Sequence, residues 1–296
     1  MLQIARFPYS DILGWSNSRY DIFSACRRRY YYQYYSKFDT EIDRQHLLNL
    51  RDLTSIPLEI GSITHECIAT LLRRLQKEAA SPVDREKLSN YVTELATKRV
   101  SRLHFSEVYY KEIEAASPSG IAHDSITALS NLLESERFNW IISISSNTSH
   151  DWLIEPDKYG ETRIDGLKAY CRVDFLFPVG ESLHIIDWKT GKKNMEKHSA
   201  QIRGYAAWAS YQFKKPVSQI HPSVAYLIPD YHEIHAQLRD EDMADFAKLV
   251  HEQTGEMYAF CLDVEKNVPK QKALFPMTRI DKLCKYCNFR EICTRQ

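Results

Sequence analysis

The sequence predicts an α/β protein in which a mixed central sheet is flanked by helices, with a helical insert ahead of the sheet. Three observations carry this. Helical periodicity dominates residues 16–138. Short β-rich runs bounded by Gly, Pro and Asp turns then cluster between 151 and 239. A helical stretch at 194–213 separates those runs, so the chain crosses over between strands instead of forming a plain meander.

The elements follow in order. Residues 16–38 read as one aromatic-rich helix, and 58–78 as an amphipathic helix whose Ile60, Ile63, Ile68, Leu71, Leu72 and Leu75 recur at helical spacing. A helical block spans about 84–114 and another 122–138, with Ser117-Pro118-Ser119-Gly120 between them as a turn. Together, residues of about 80–150 form a helical insert or lid. Strands are expected near 151–155, 162–177, 183–189, 222–229 and 233–239, turning at Gly160, Gly180 and Pro229-Asp230. Helices at 194–213 and 240–265 complete the list. With 9 Gly, 11 Pro and no repeat or low-complexity tract there are few linkers, so residues 1–296 are expected to form a single domain.

Composition narrows the function classes. Thirty-nine basic and thirty-nine acidic residues give no net charge, which excludes a basic tail protein and leaves any nucleic-acid contact to local patches. No run of about 18 apolar residues occurs and the first residues lack the layout of a secretory signal, so the expectation is a soluble cytoplasmic protein without a membrane partner. Seven cysteines without an export signal argue for metal ligation and buried thiols over disulfides.

The most informative stretch runs from Asp174 to Lys189. If the hairpin turns about Gly180 and Glu181, position i faces position 361 − i, so Asp174 stands opposite Asp187. Opposed side chains on antiparallel strands have Cβ atoms roughly 4.5–5.5 Å apart, where like charges destabilise. A divalent cation between them removes the penalty. Lys189 returns to the same face two residues later. Apolar Phe175, Phe177, Ile185 and Ile186 make these core strands, so charges on one face need a reason. Phosphodiester hydrolysis supplies one: it needs an activated water, neutralised phosphate charge and a stabilised leaving oxygen, all of which carboxylate-bound Mg²⁺ or Mn²⁺ provides. Asp174 and Asp187 are the candidate ligands, and Lys189 would orient or deprotonate the water. Asp165 is a rival first acid, but it lies too far from Asp187 for the hairpin.

At these residues the sequence resembles the RecB-like branch of the PD-(D/E)XK nuclease superfamily, and more closely its iron–sulfur members, the CRISPR-associated RecB-like exonucleases and the AddB nuclease domain. The resemblance implies a restriction-endonuclease-like core. Its Gly-x-x-x-His motif stands as Gly61 to His65, implying His65 as a further metal ligand. Asp-x-Lys-Thr-Gly stands as Asp187 to Gly191, implying the Trp188 carbonyl as another. Gln-x-x-x-Tyr stands as Gln201 to Tyr205. Residues four apart share a helix face, so Gln201, Tyr205 and Trp208 line one stripe, while Ile202, Ala206, Ala209 and Phe213 form the core stripe. One departure is Asp187, where many superfamily members carry Glu.

Near the carboxyl end, Cys284, Cys287 and Cys293 give C-x₂-C-x₅-C, three thiols for a site that wants four. No second C-x₂-C pair is nearby, so the fourth ligand must come from afar, and Cys26 is the candidate. Iron–sulfur RecB-like nucleases take one cysteine upstream and three near the carboxyl end, so the resemblance implies a [4Fe-4S] cluster in a module made by residues 1–40 and 270–296. Zinc is the alternative. Cys67, Cys171 and Cys261 sit in apolar patterns and read as buried small hydrophobes.

The tract Arg27 to Tyr35 mixes cations and tyrosines. Phe23, Tyr30 and Tyr34 are expected inward, with Arg27, Arg28 and Tyr31 outward, where Arg27 and Tyr31 would meet a single strand; packing around the cluster is the alternative role, and the expected one for most of these tyrosines. Lys192, Lys193 and Arg203 flank the acidic site as phosphate contacts or as solvated charges. The sum is a metal-dependent exonuclease acting on single-stranded DNA ends. Its rivals are an endonuclease and a non-catalytic subunit in CRISPR adaptation or recombination repair. No Gly-x-x-x-x-Gly-Lys-[Ser/Thr] loop is present, so a helicase motor would be a partner protein.

Overall fold

A computed structural model describes residues 4–79, 81–155 and 160–293. In chain order, α1 (Asn17–Ala25), α2 (Arg27–Tyr35) and α3 (Arg44–Arg51) precede the long α4 (Ile56–Lys77). Then come α5 (Arg85–Val100), the short α6 (Ser106–Tyr109), α7 (Pro118–Glu134) and α8 (Glu136–Thr148). Strands β1 (Leu153–Ile154), β2 (Glu161–Ile164), β3 (Leu167–Tyr170), β4 (Phe175–Val179) and β5 (Ser182–Lys189) lead into α9 (Met195–Phe213). The chain closes with β6 (Ile220–Tyr226), β7 (His232–His235), α10 (Asp240–Tyr258), β8 (Cys261–Asp263), β9 (Val268–Pro269) and α11 (Asp281–Lys285). No helix among the described residues is long and apolar enough to cross a membrane.

Two compact units divide the chain. The first comprises Met1–Arg6, Thr54–Glu161 and Cys171–Ala244. Its sheet has the order β1-β4-β5-β6-β7, with β5 and β6 parallel and every other pair antiparallel, so it is the expected mixed sheet flanked by helices. The register of the β4–β5 hairpin is the one the turn predicts: Phe175 pairs with Ile186, Phe177 with His184 and Val179 with Ser182. Strand parity then sorts the side chains. Phe175, Phe177, Ile186, Trp188 and Ala225 pack with Ile63, Leu72, Leu129 and Ile141 from the helices, whereas Val224 and Tyr226 meet Ile202 of α9 on the other face.

Helix α4 forms where its sequence favours it. Pro57 occupies the first turn, Glu59 lies near the positive end, Arg74 and Lys77 lie near the negative end, and Ile60, Ile63, Cys67, Ile68, Leu71, Leu72 and Leu75 are all buried. A carboxylate oxygen of Glu107 accepts the Ile56 N–H at 2.9 Å, satisfying one of the free donors of the first turn. The segment Ser117 to Gly120 is a helix start, not the expected turn: Ser117 Oγ accepts the Gly120 N–H at 3.1 Å as the N-cap of α7. The expected strand 162–177 is three strands, because Asp165 (φ 46°) and Gly166 (φ 79°) turn the chain between β2 and β3.

The second unit comprises Phe7–Leu53, Thr162–Tyr170 and Asp245–Gln296. The expected helix 16–38 is broken at Cys26, whose extended backbone (φ −162°, ψ 114°) ends α1 and caps α2, its Sγ accepting the Arg29 N–H at 3.4 Å. Aromatic edges build this core: Phe23 meets Tyr30 and Phe260, and Tyr31 and Tyr35 meet Phe275. Tyr31 is therefore only 3% exposed, which corrects its expected outward role: α2 is buried on two sides, leaving no ring face for a strand to stack on. Arg27 lies over the Phe23 ring and pairs with Glu256 at 3.3 Å, so its guanidinium is already engaged.

Candidate active site

The site of the first unit gathers at the carboxyl end of β5, where α4 and α9 supply one side chain set each. Asp187 is 1% exposed. Its Oδ1 accepts from Gln201 Nε2 at 3.1 Å and from the Tyr205 hydroxyl, while its Oδ2 lies 2.6 Å from Lys189 Nζ. Gln201 also touches the Tyr205 hydroxyl, so both residues of the α9 stripe clamp one carboxylate. Trp208 of the same stripe is fully buried and serves packing.

Asp174, one residue before β4, extends the hairpin register to face Asp187. Its Oδ2 accepts the Trp188 N–H at 2.9 Å. His65, on α4, lies with Nε2 2.9 Å from the Trp188 carbonyl oxygen and with Nδ1 3.5 Å from Asp174 Oδ2. The α4 backbone comes this near because residue 61 is glycine: a Cβ there would stand 3.2 Å from Thr190 Oγ1. The sequence-predicted His65, Asp174, Asp187, Trp188, Lys189, Gln201 and Tyr205 thus come together.

Electrostatics agree with two acids forced into one place. Burial, followed by the neighbouring Asp174 charge, pushes Asp187 up to about 6 despite Lys189. Burial would raise Asp174 too, but His65 and Lys189 outweigh it and leave it below its ordinary value. Burial likewise disfavours a charged His65, yet Asp174 and Glu155 hold it well above its ordinary value. Burial and the Asp187 charge raise Tyr205, so its hydroxyl stays protonated and donates.

Among the described residues, no group of three or more His, Cys, Asp or Glu side chains stands ready to hold a metal ion. The reason is visible in the partners: Asp187 is turned onto Lys189, Gln201 and Tyr205, and Asp174 onto Trp188 and His65. The donor chemistry nevertheless fits a hard divalent cation. One buried and one half-buried carboxylate, a backbone carbonyl and an imidazole converge, and buried Asp187 Oδ2 has no hydrogen-bond donor beyond its ion pair.

Sequence reasoning missed Glu155, whose Oε1 is 3.6 Å from His65 Nδ1. The Glu155 N–H donates to the Asp174 carbonyl at 2.7 Å, which sets the two acids side by side. It closes the expected strand 151–155, but no periodic pattern there marks it as part of the site. Arg73 and Arg172 also line the cleft of about 1000 Å³ that holds His65, Asp174 and Lys189. Arg172 precedes Asp174 by two in the stretch between β3 and β4. Of the expected phosphate contacts, Lys192 and Lys193 are exposed on the loop after β5 and Arg203 is half-buried on α9. Asp165 is excluded from the site: it is exposed in the β2–β3 turn, 3.0 Å from His251 Nε2.

In the second unit, Cys26, Cys284, Cys287 and Cys293 line one cavity of about 130 Å³, walled by Tyr32 and Phe289. None of the four is paired in a disulfide. Burial raises Cys284, Cys287 and Cys293, with Cys26 adding to each. Cys67 and Cys171 are buried as expected and pushed up to about 12 by burial, and Cys261 is buried too.

A mixed sheet whose hairpin carries Asp opposite Asp-x-Lys, clasped by a helix bearing His and another bearing Gln-x-x-x-Tyr, defines a restriction-endonuclease-like protein. A family model described as the PD-(D/E)XK nuclease superfamily matches residues 14–294, and the chain belongs to that superfamily. By class it is therefore a nuclease. No curated protein matches it. Among solved structures, one titled "Crystal structure of SSO0001" is 19% identical, with 76% of this chain and 94% of that chain covered and a TM-score of 0.30. At that score the likeness adds nothing to the fold.

Proposed function

We propose that the protein is a Mg²⁺- or Mn²⁺-dependent deoxyribonuclease that trims single-stranded DNA from its ends. The observation that supports it most is the convergence of Asp174, Asp187 and Lys189 with His65 and the Trp188 carbonyl in an open cleft. Asp174, Asp187, His65 and the Trp188 carbonyl would hold the metal, which when bound lowers the pKa of water and neutralises phosphate charge. Lys189 Nζ, held on Asp187 Oδ2, positions the attacking water as the ammonium or, as the neutral amine, accepts its proton. The water oxygen bonds to phosphorus as the bridging P–O bond breaks, leaving a phosphomonoester and a hydroxyl end. Gln201 and Tyr205 fix the Asp187 carboxylate, and Arg172 and Arg73 on the cleft wall suit the phosphates on either side. Lys192 and Arg203 are the proposed outer contacts.

The iron–sulfur reading belongs to the same proposal: Cys26, Cys284, Cys287 and Cys293 would ligate a [4Fe-4S] cluster that ties residues 1–40 to 270–296, supported by their shared cavity. Residues of about 80–150 would act as a helical insert of the one nuclease domain. A role beside CRISPR adaptation or helicase proteins follows from the RecB-like motifs alone.

A digestion series on DNA labelled at either end tests the function. The expected outcome is shortening of single strands from one end with Mg²⁺ or Mn²⁺ and none with chelator. Cleavage at internal sites of closed circles would replace the exonuclease with an endonuclease.

A further inference from the structure

A second charged cavity, of about 260 Å³, lies wholly within the second unit and has no part in the acidic site. Its wall carries Arg19, Lys37, Lys168 and Lys266 against a single acid, Asp11. Asp11 already accepts the Tyr9 hydroxyl at 2.5 Å, and Lys266 pairs with Asp263 at 3.5 Å.

Lys168 is the unusual member. It is only 8% exposed, and its Nζ donates to the Ser10 carbonyl and hydroxyl at 2.7 and 3.1 Å. No carboxylate partners it among the described residues, although burying an ammonium without a counter-charge is unfavourable. Arg19 repeats the pattern. Its Nε donates to the Tyr30 hydroxyl at 3.0 Å and its Nη1 to the Gly14 carbonyl at 3.4 Å, with its Cζ 4.5 Å from the centre of the Tyr34 ring and no acid in reach among the described residues. Two cations held by neutral acceptors, with donors to spare, leave a place for an anion with several oxygens.

Flat rings complete the wall. Tyr34 is half-buried and Tyr170 is 40% exposed, with Lys168 Nζ 5.6 Å from the Tyr170 ring centre. Gly14 lets them close in, because a Cβ there would sit 2.5 Å from Tyr170 Cε2 and 3.2 Å from Lys168 Cγ. A phosphate beside a stackable base satisfies both the cations and the rings.

We propose that this cavity binds a nucleotide through its phosphate, with Lys168 and Arg19 as the anion contacts and Tyr170 beneath the base. The phosphate belongs to a free mononucleotide or to the phosphorylated end of a DNA strand. The site does not depend on the nuclease reading, so binding is measured by calorimetry on the full chain with chelator present, which silences metal-dependent cleavage. The probes are dTMP, thymidine and inorganic phosphate. Expected are saturable dTMP binding, at least 10-fold weaker binding of thymidine, and at least 10-fold loss of dTMP affinity in Lys168→Met with recovery in Lys168→Arg. Tyr170→Ala and Lys37→Glu, both at exposed positions, are expected to weaken dTMP several-fold and serve where Lys168→Met does not fold. A 5′-phosphorylated dT₁₀ that displaces dTMP where its 5′-hydroxyl form does not assigns the site to strand ends; displacement by neither assigns it to the free nucleotide. Absence of dTMP binding at millimolar concentration overturns the proposal, as does equal affinity in the parent and all folded variants.

Discussion

At the residue scale the site is organised around one buried carboxylate. Asp187 receives Gln201, Tyr205 and Lys189, so its orientation is set by α9 as much as by its own strand. Outer partners of this kind typically affect activity by about 10–100-fold when removed. Tyr205→Phe keeps the ring and deletes the donor, and the expected result is a loss of roughly 10-fold or more in kcat with little change in KM. Unchanged kcat would show that the hydroxyl positions nothing. The acids and the lysine were legible because strand alternation is strict, and Gln201 with Tyr205 because four residues make one helical turn. Glu155 and Arg172 were not. Glu155 reaches His65 only because the short β1 pairs with β4 and its own backbone turns to φ 38°, neither of which leaves a periodic trace.

At the element scale the break between α1 and α2 is the instructive miss. Residues 16–38 contain no Gly or Pro, so nothing in their local preferences interrupts a helix. The interruption comes from Cys26, which adopts an extended backbone, caps α2 and faces Cys284, Cys287 and Cys293 across their cavity. Capping and ligation can be separated, because serine is a good N-cap but a poor iron ligand. Anaerobically purified parent is expected to carry iron and sulfide with absorbance near 400 nm, and Cys26→Ser to lose most of both while its helical circular dichroism persists. A colourless, zinc-loaded parent would replace the cluster with zinc. The other misplaced boundaries have local causes: Ser117 caps α7 where a turn was expected, and Asp165 with Gly166 turns the chain inside the expected strand 162–177.

At the scale of the whole molecule, equal numbers of acids and bases mean that function depends on where charges are gathered, and stability on which of them are buried. His184 on β5 is packed against Phe177, Trp140 and His221. Burial, then the nearby His221 and Arg137, pushes it down to about 4. A histidine held below its unfolded value folds best when neutral, so its contribution is complete above about pH 6.5 and is lost as pH falls through about 4. The expected loss is on the order of 1 kcal/mol, reduced by its partial exposure. His184→Phe should flatten the fall in unfolding temperature between pH 6.5 and 4 relative to the parent. A parallel fall in both proteins would remove His184 from the acid response.

The mixed central sheet and the hairpin register followed from the sequence, whereas the order of the strands and the division into two units did not, since the second unit is assembled from three separated stretches of chain. What joins sequence, fold and site is the claim that Asp187 and Lys189 carry phosphodiester hydrolysis. Its most direct test measures the rate of single-stranded DNA digestion with Mg²⁺ or Mn²⁺ by Asp187→Ala and Lys189→Ala beside the parent, with unfolding temperature as the check on folding. The account predicts rates down by on the order of 10³-fold in both folded variants; digestion as fast as the parent in either would contradict it.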